Sequence, residues 1–270
     1  VTAFLLLALL AVPDSVGIRL NTLKTSTDAQ ELQWAVYHLA RSGDSSAVPA
    51  ILEFLADTGR YIEPDADSMP SPQGTAAFFL GELGDTAAIP VLESWLGMEG
   101  HEKTRVEAAA SLVKLGQPLA GLEVLEYSVL RDSTPPKNRT RGVNVFFHPG
   151  GEPLRFTDST ELSSVTAMMR RVVEQGQHYL KARALEWLVA LQKMDKAEAF
   201  GIATWVMDST RDEAARAAAF RVLAALDTEQ ARQRIEKATY DWQPDIRFMA
   251  NRYLAERKGI EESGNRQGEE

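Results

Sequence analysis

Leu39-Ala40-Arg41-Ser42-Gly43-Asp44-Ser45-Ser46-Ala47-Val48-Pro49 returns further along the chain as Leu80-Gly81-Glu82-Leu83-Gly84-Asp85-Thr86-Ala87-Ala88-Ile89-Pro90. The offset is 41 for Gly43/Gly84, Asp44/Asp85 and Pro49/Pro90 alike. A weaker third copy runs from Ala108 to Leu125, with Leu112 and Gly116 each 32 beyond Leu80 and Gly84. Self-similarity at a period of roughly 30–45 residues marks a stack of small structural units rather than one closed core. The repeat therefore decides the fold before any site is sought.

Each unit reads as a helix pair. Leu32, Ala35, Val36 and Leu39 fall at i, i+3, i+4 and i+7, which places them in one apolar stripe on a helix. Gly43 ends that helix, because glycine accepts the left-handed backbone that a helix C-terminus often takes. Asp44 is suited to cap the next helix with its carboxylate. Pro49 sits near that helix's start, where a missing amide donor costs least. Ile51, Leu52 and Leu55 carry the second apolar stripe. One such pair cannot enclose a core, so copies must stack. The expected fold class is all-α, an α-solenoid of antiparallel helix pairs.

Residues 28–57, 74–97 and 102–127 resemble HEAT repeats, most of all the short bacterial type also found in phycobilin lyase subunits. The resemblance rests on Ala35, Leu39, Gly43-Asp44, Ala47-Val48-Pro49 and Leu55. Its second copy is Ala76, Leu80, Gly84-Asp85, Ala88-Ile89-Pro90 and Leu96. Further on, Arg216 to Ile235 fits through Ala219, Leu223, Leu226 and Ala231, with the Gly-Asp turn replaced by Asp227-Thr228. Residues 178–207 fit more loosely through Ala184, Leu188 and Leu191, and Asp245 to Leu254 is similar to a closing half-repeat. About two thirds of the chain is covered, or about five or six helix pairs. The resemblance implies recognition along a groove lined by the second helix of each pair. By register, Glu53, Ser94, Glu123, Glu126 and Tyr127 fall on that lining. Their acidic bias favours a protein partner of basic or mixed charge.

Composition narrows the classes further. With 270 residues, 44% of them hydrophobic, the chain can bury a long core. A net charge of −9 disfavours DNA or RNA, whose binding runs on cationic neutralisation of phosphates. The absence of cysteine removes disulfides, thiolate metal sites and cysteine nucleophiles.

The expected organisation is an N-terminal apolar segment (1–27), repeats (28–130), an insertion (131–160), repeats (161–258) and a disordered tail (259–270). Val1 to Val12 is apolar on every side. It reads either as the remnant of a signal or membrane anchor, or as the first helix of another repeat. In the second case Pro13-Asp14-Ser15 matches Gly43-Asp44-Ser45 at an offset of 30. A cytoplasmic and an exported or membrane-anchored location both stay open. Thr58 to Gly74, with Pro64, Pro70 and Pro72, reads as a polar loop that enlarges the second repeat.

The insertion holds Lys137, Arg139 and Arg141, then Val143-Asn144-Val145-Phe146-Phe147 and Leu154-Arg155-Phe156-Thr157 around His148-Pro149-Gly150-Gly151-Glu152-Pro153. β-Branched and aromatic runs around a Pro-Gly-Gly turn predict a β-hairpin. Its phenylalanines are expected to pack inward, and Arg139 and Arg141 are its candidates for partner contact.

No catalytic constellation appears. His38, His101, His148 and His178 are scattered. His101-Glu102 is similar to the His-Glu pairs by which deoxyhypusine hydroxylase, a HEAT-repeat enzyme, holds two irons. That family sets its pairs inside the first helix of several repeats, and here Val106 stands where the histidine would be. There is no Gly-rich phosphate loop, serine nucleophile elbow or paired-histidine zinc motif. No metal and no cofactor is therefore expected. The reading is a non-catalytic protein–protein interaction scaffold, with a phycobilin-lyase-like enzyme subunit as the alternative. A nucleic-acid glycosylase on HEAT-like repeats is disfavoured by charge.

Overall fold

The computed structural model describes residues 15–60, 71–131, 136–148 and 151–267. It divides into two compact units, residues 1–128 and 129–270. Most of the N-terminal apolar run and of the polar loop after Arg60 lie outside the described residues.

In the first unit, α1 (Ser15–Thr25) packs against α2 (Ala29–Ser42) and α3 (Ala47–Ala56). Next come α4 (Pro72–Leu83), α5 (Ile89–Leu96), α6 (Glu102–Lys114) and α7 (Pro118–Leu130). The first helices α2, α4 and α6 lie side by side, and each second helix packs on the first helix that follows it, α3 on α4 and α5 on α6. The stripes that the sequence assigns to the interior are there: Leu32, Ala35, Val36, Leu39, Ile51, Leu55, Leu80, Leu92 and Leu112 are buried together. Trp95 joins neighbouring repeats, its indole Nε1 donating to the Leu55 carbonyl at 2.8 Å.

The turn chemistry explains the recurrence of Gly-Asp. Gly43 and Gly84 both cap their helices in the left-handed region at φ 71°, and Gly116 repeats this at φ 78°. The aspartate then folds the chain back on itself. Asp44 Oδ1 accepts from the Ser46 N–H at 2.8 Å and its hydroxyl at 2.6 Å, and Asp85 Oδ1 accepts from Ala87 N–H at 2.9 Å. The Ser46 hydroxyl, then its backbone N–H, hold the Asp44 carboxyl below its ordinary value.

The second unit holds α8 (Pro136–Asn144), α9 (Ser159–Gln175), α10 (His178–Ala190), α11 (Lys196–Ser209), α12 (Glu213–Leu226), α13 (Glu229–Ala238) and α14 (Pro244–Gln267). First helices again adjoin, α8 with α10, α10 with α12 and α12 with α14, and α9 and α11 pack on α10 and α12. Here the left-handed cap survives without glycine, at Gln192 (φ 56°) and Asp227 (φ 48°).

The β-hairpin does not form. Val143 and Asn144 end α8, Val145 and Phe146 form a turn, and among the described residues there is no strand, only a single bridge between Phe147 and Pro153. His148 N–H bonds the Glu152 carbonyl at 2.7 Å and Leu154 N–H the Phe146 carbonyl at 2.8 Å, which closes a tight turn and nothing longer. The reason lies in burial. Val143, Val145, Phe146 and Phe147 are all buried, whereas a half-exposed strand alternates. The described part of residues 131–160 contains α8 and the start of α9, and α8 packs on α10. The tail also differs from expectation, since the backbone of α14 stays helical to Gln267 and the final three residues lie outside the described set.

Helix separation is set at two glycines. A Cβ on Gly81 would lie 2.5 Å from Ser111 Oγ and 2.8 Å from Ser111 Cα, so α4 and α6 touch through backbone there. Ser111 Oγ uses this closeness to donate to the Ala77 carbonyl at 2.8 Å. Gly121 meets Ala109 Cα at 2.7 Å in the same way. A Cβ on Gly43, in contrast, meets nothing within 4 Å. Gly43→Ala should cost about 1 kcal/mol from backbone strain alone. Gly81→Ala should cost about 3 kcal/mol by forcing α4 and α6 apart. Urea unfolding of both variants checks that order.

Candidate functional site

The second helices of the first unit form its most distinctive surface. The segments AVPAILEFLA (α3), IPVLESWL (α5) and PLAGLEVLEYSVL (α7) contain no lysine or arginine, but they carry Glu53, Glu93, Glu123 and Glu126. Glu53, Glu93 and Glu123 are exposed, Glu126 is half-buried, and Tyr127 is 46% exposed. Ser94 is exposed too, but its hydroxyl donates back to the Val91 carbonyl at 2.7 Å. Glu53 and Asp57, one helical turn apart, border a cleft of about 370 Å³ floored by Leu20, Leu23 and Phe54. The guanidinium of Arg60 at this cleft is committed to the carbonyls of Leu23 and Ser26 that end α1.

Arg139 and Arg141 do not stand out from the surface as a recognition element. Arg139 is 8% exposed and Arg141 half-buried. Arg139 lies in the wall of a second-unit cleft of about 510 Å³, together with His178, Tyr179, Trp205 and Asp212. The His178 imidazole stacks on the Trp205 indole, with centroids 5.0 Å apart and planes 12° apart. Lys181 Nζ lies 5.7 Å from the Trp205 ring centre and also donates to the carbonyls of Val173 and Glu174 at the end of α9. Burial pushes the Lys181 ammonium down from its ordinary value, and Glu174 opposes that shift. Behind the cleft, Asn144 bonds both the Tyr179 hydroxyl and Arg183 Nε, fixing α8 to α10. Arg183 also covers the Phe147 ring at 3.7 Å.

Residues 32–57 and 72–94 match the model of the PBS lyase HEAT-like repeat, the segments that fold as α2 with α3 and as α4 with most of α5. These two segments are HEAT-like repeats. No curated protein sequence matches it. Among solved structures, human deoxyhypusine hydroxylase in complex with glycerol is similar at 16% identity, over 91% of this chain and 85% of that one, with a TM-score of 0.34.

A second regularity of these helix pairs lies below the level of the apolar pattern. Arg105, Lys181, Arg216 and Arg247 are each the fourth residue of a first helix (α6, α10, α12 and α14). Each donates to carbonyls that close the preceding helix or loop. Arg105 Nε reaches the Leu96 carbonyl at 2.8 Å, Arg216 reaches Met207, and Arg247 reaches Asp241 at 2.7 Å and Trp242 at 3.0 Å. The last carbonyls of a helix have no internal partner and carry the negative end of its dipole. A cation there answers both needs. Arg139 occupies the fourth position of α8 in the same register. The available sequence signal was a basic residue at the same place of α6, α8, α10, α12 and α14, which an apolar-stripe reading passes over.

Among the described residues no three His, Asp or Glu side chains converge as metal ligands do. His101 precedes α6 with its ring edge on Trp95 at 5.9 Å, and Val106 is buried within α6. His101-Glu102 therefore does not sit inside a helix as a ligand pair would.

Arg216 is the most buried of the latches, at 4% exposure. Besides Met207 it bonds Gln243 Oε1 at 2.6 Å and pairs with the buried Asp241 carboxylate. Removing one side of such a pair strands the other. Arg216→Met should therefore destabilise by about 3–5 kcal/mol. Double substitution with Asp241→Leu should recover a large part of that loss, as read by thermal melting of the single and double variants.

Proposed function

We propose that the chain is a non-catalytic scaffold that holds a protein segment of basic or mixed charge along the second helices of its first unit. One observation carries the reading: α3, α5 and α7 hold Glu53, Glu93, Glu123 and Glu126 without a single lysine or arginine. A surface of one sign steers and orients a partner of the other sign. Tyr127 adds an exposed amphipathic ring of the kind that anchors interfaces. Backbone-distance contacts, between the first helices α4 and α6 at Gly81 and between α7 and α6 at Gly121, support a fixed spacing of that surface. The same charge, within a net −9, disfavours nucleic acid. The alternative, a phycobilin-lyase-like subunit, is supported by the repeat type alone.

Fluorescence polarisation with lysine/arginine-rich, neutral and aspartate/glutamate-rich peptide sets tests the proposal. The basic set should bind best, and more weakly as salt rises. The triple variant Glu53→Lys, Glu93→Lys, Glu123→Lys should lose about tenfold or more in affinity, with unchanged helical content, since all three side chains are exposed. Equal binding of the three sets, or an unaffected triple variant, would overturn it.

A further inference from the structure

We propose that a cleft at the C-terminal end of α10 binds a small soluble amphiphile, a carboxylate or phosphate monoester joined to a short apolar body. The cleft measures about 320 Å³ and shares no lining residue with the one that contains Trp205. Its volume falls at the lower end of the roughly 300–1,000 Å³ that small-molecule sites occupy. Arg155 and Phe156 reach it from the segment between α8 and α9, Leu162 from α9, and residues 190–193 from the place where α10 ends.

The charge requirement comes from side chains that have nothing to bond. Arg155, Gln192 and Lys193 line the cleft, and their side-chain nitrogens have no hydrogen-bond or ion-pair partner among the described residues. Elsewhere in the unit, Arg183, Arg221, Arg232, Arg234 and Arg252 each pair with a carboxylate. No carboxylate is among the described residues that line this cleft. Of the acids nearest in sequence, Asp158 caps α9 and Asp195 caps α11 through backbone amides, while Glu152 and Glu161 pair with neither cation. A further cation, Arg170 of α9, donates to the Lys193 carbonyl and has no carboxylate partner among the described residues either. In a chain of net charge −9, these cations concentrate positive potential at one concavity.

The end of α10 does not supply the missing partner. Its Trp187, Leu188 and Val189 carbonyls already accept from the backbone N–H groups of Leu191, Lys193 and Gln192. Gln192 holds a left-handed backbone at φ 56°, in the region where the first unit uses Gly43 and Gly84. Glutamine there adds to the lining an amide with two N–H donors, which glycine lacks. The apolar requirement comes from the same wall. Phe156, Leu162 and Leu191 are each half-buried, so part of each remains for a ligand to cover and remove from water. A guanidinium matches a carboxylate or phosphate through paired N–H bonds. An inorganic anion would leave the apolar wall wet, and a neutral apolar molecule would leave the cations unanswered.

Ligand-observed NMR and calorimetry on the full chain test this with hexyl phosphate, hexanoate, phenyl phosphate and benzoate. Hexanol, hexylammonium and inorganic phosphate are the single-feature controls. At least one of the amphiphilic anions should bind with a Kd below about 1 mM, and more weakly as salt rises. Each control should bind about tenfold more weakly or worse. The double variant Arg155→Gln, Lys193→Gln should lose about tenfold or more in affinity. Its melting should not change, because neither side chain bonds to the rest of the fold. Lys193→Arg keeps the charge and should keep most of the affinity. Vesicles containing phosphatidate should not retain the chain, and retention that the double variant abolishes would overturn the assignment to a soluble ligand. Failure of all the anions to bind at millimolar concentration would overturn the proposal. So would any control that binds as tightly as they do, a double variant that binds like the parent, or a Lys193→Arg variant that loses as much as the double one. The acidic surface of the first unit plays no part, so the Glu53/Glu93/Glu123 triple variant should bind these probes like the parent.

Discussion

A helix must end, and when it ends its last carbonyls need donors. In this chain cations at the fourth position of the following first helix supply them, at Arg105, Lys181 and Arg216, and Arg247 does the same for the loop carbonyls of Asp241 and Trp242. The bond does more than satisfy the carbonyl. Because the donor belongs to the next helix, it fixes how closely that helix starts to the end of the one before. The apolar stripes say that helices stack, but stripes alone allow sliding. At those four junctions a directional, charge-assisted bond removes that freedom, whereas α2 and α4 carry Leu32 and Thr75 at the same place. Where the latch is most buried, at Arg216, it recruits Asp241 and Gln243 into one closed network.

Two backbone features complete the constraint. A left-handed residue after the first helix reverses the chain, and it recurs at Gly43, Gly84, Gly116, Gln192 and Asp227 whether or not glycine supplies it. The absence of Cβ at Gly81 and Gly121 lets adjoining helices meet through backbone, with Ser111 bonded across the gap. Turn, close contact and latch together give each repeat a fixed offset from its neighbour. The acidic second helices of the first unit and the aromatic cleft of the second both depend on that spacing.

Much of this was legible in the sequence, and what was missed has physical causes. The register of Gly43-Asp44 with Gly84-Asp85 gave the helix pairs directly, because local rules govern stripes and caps. Residues 143–147 were misread as strand because β-branched and aromatic residues favour strands in isolation. Burial of the consecutive side chains Val145, Phe146 and Phe147, with Arg183 over the Phe147 ring, overrides that preference. Nothing local in the sequence reveals that Ser111 lies against Gly81. Glu53, Ser94, Glu123 and Tyr127 are exposed and Glu126 is half-buried, whereas Arg139 is drawn into a cleft wall because it starts a helix, not a hairpin. The cleft itself joins residues from Arg139 to Asp212, a juxtaposition that no local pattern encodes.

If latches set the junctions, breaking one should loosen its own junction and little else, as expected for a fold whose units contact only their neighbours. Hydrogen–deuterium exchange on Arg105→Gln measures this directly. Amides at the end of α5 and the start of α6 should exchange faster, while those of residues 129–270 keep their protection. Unchanged exchange at that junction, or an equal loss of protection along the whole chain, would contradict the account.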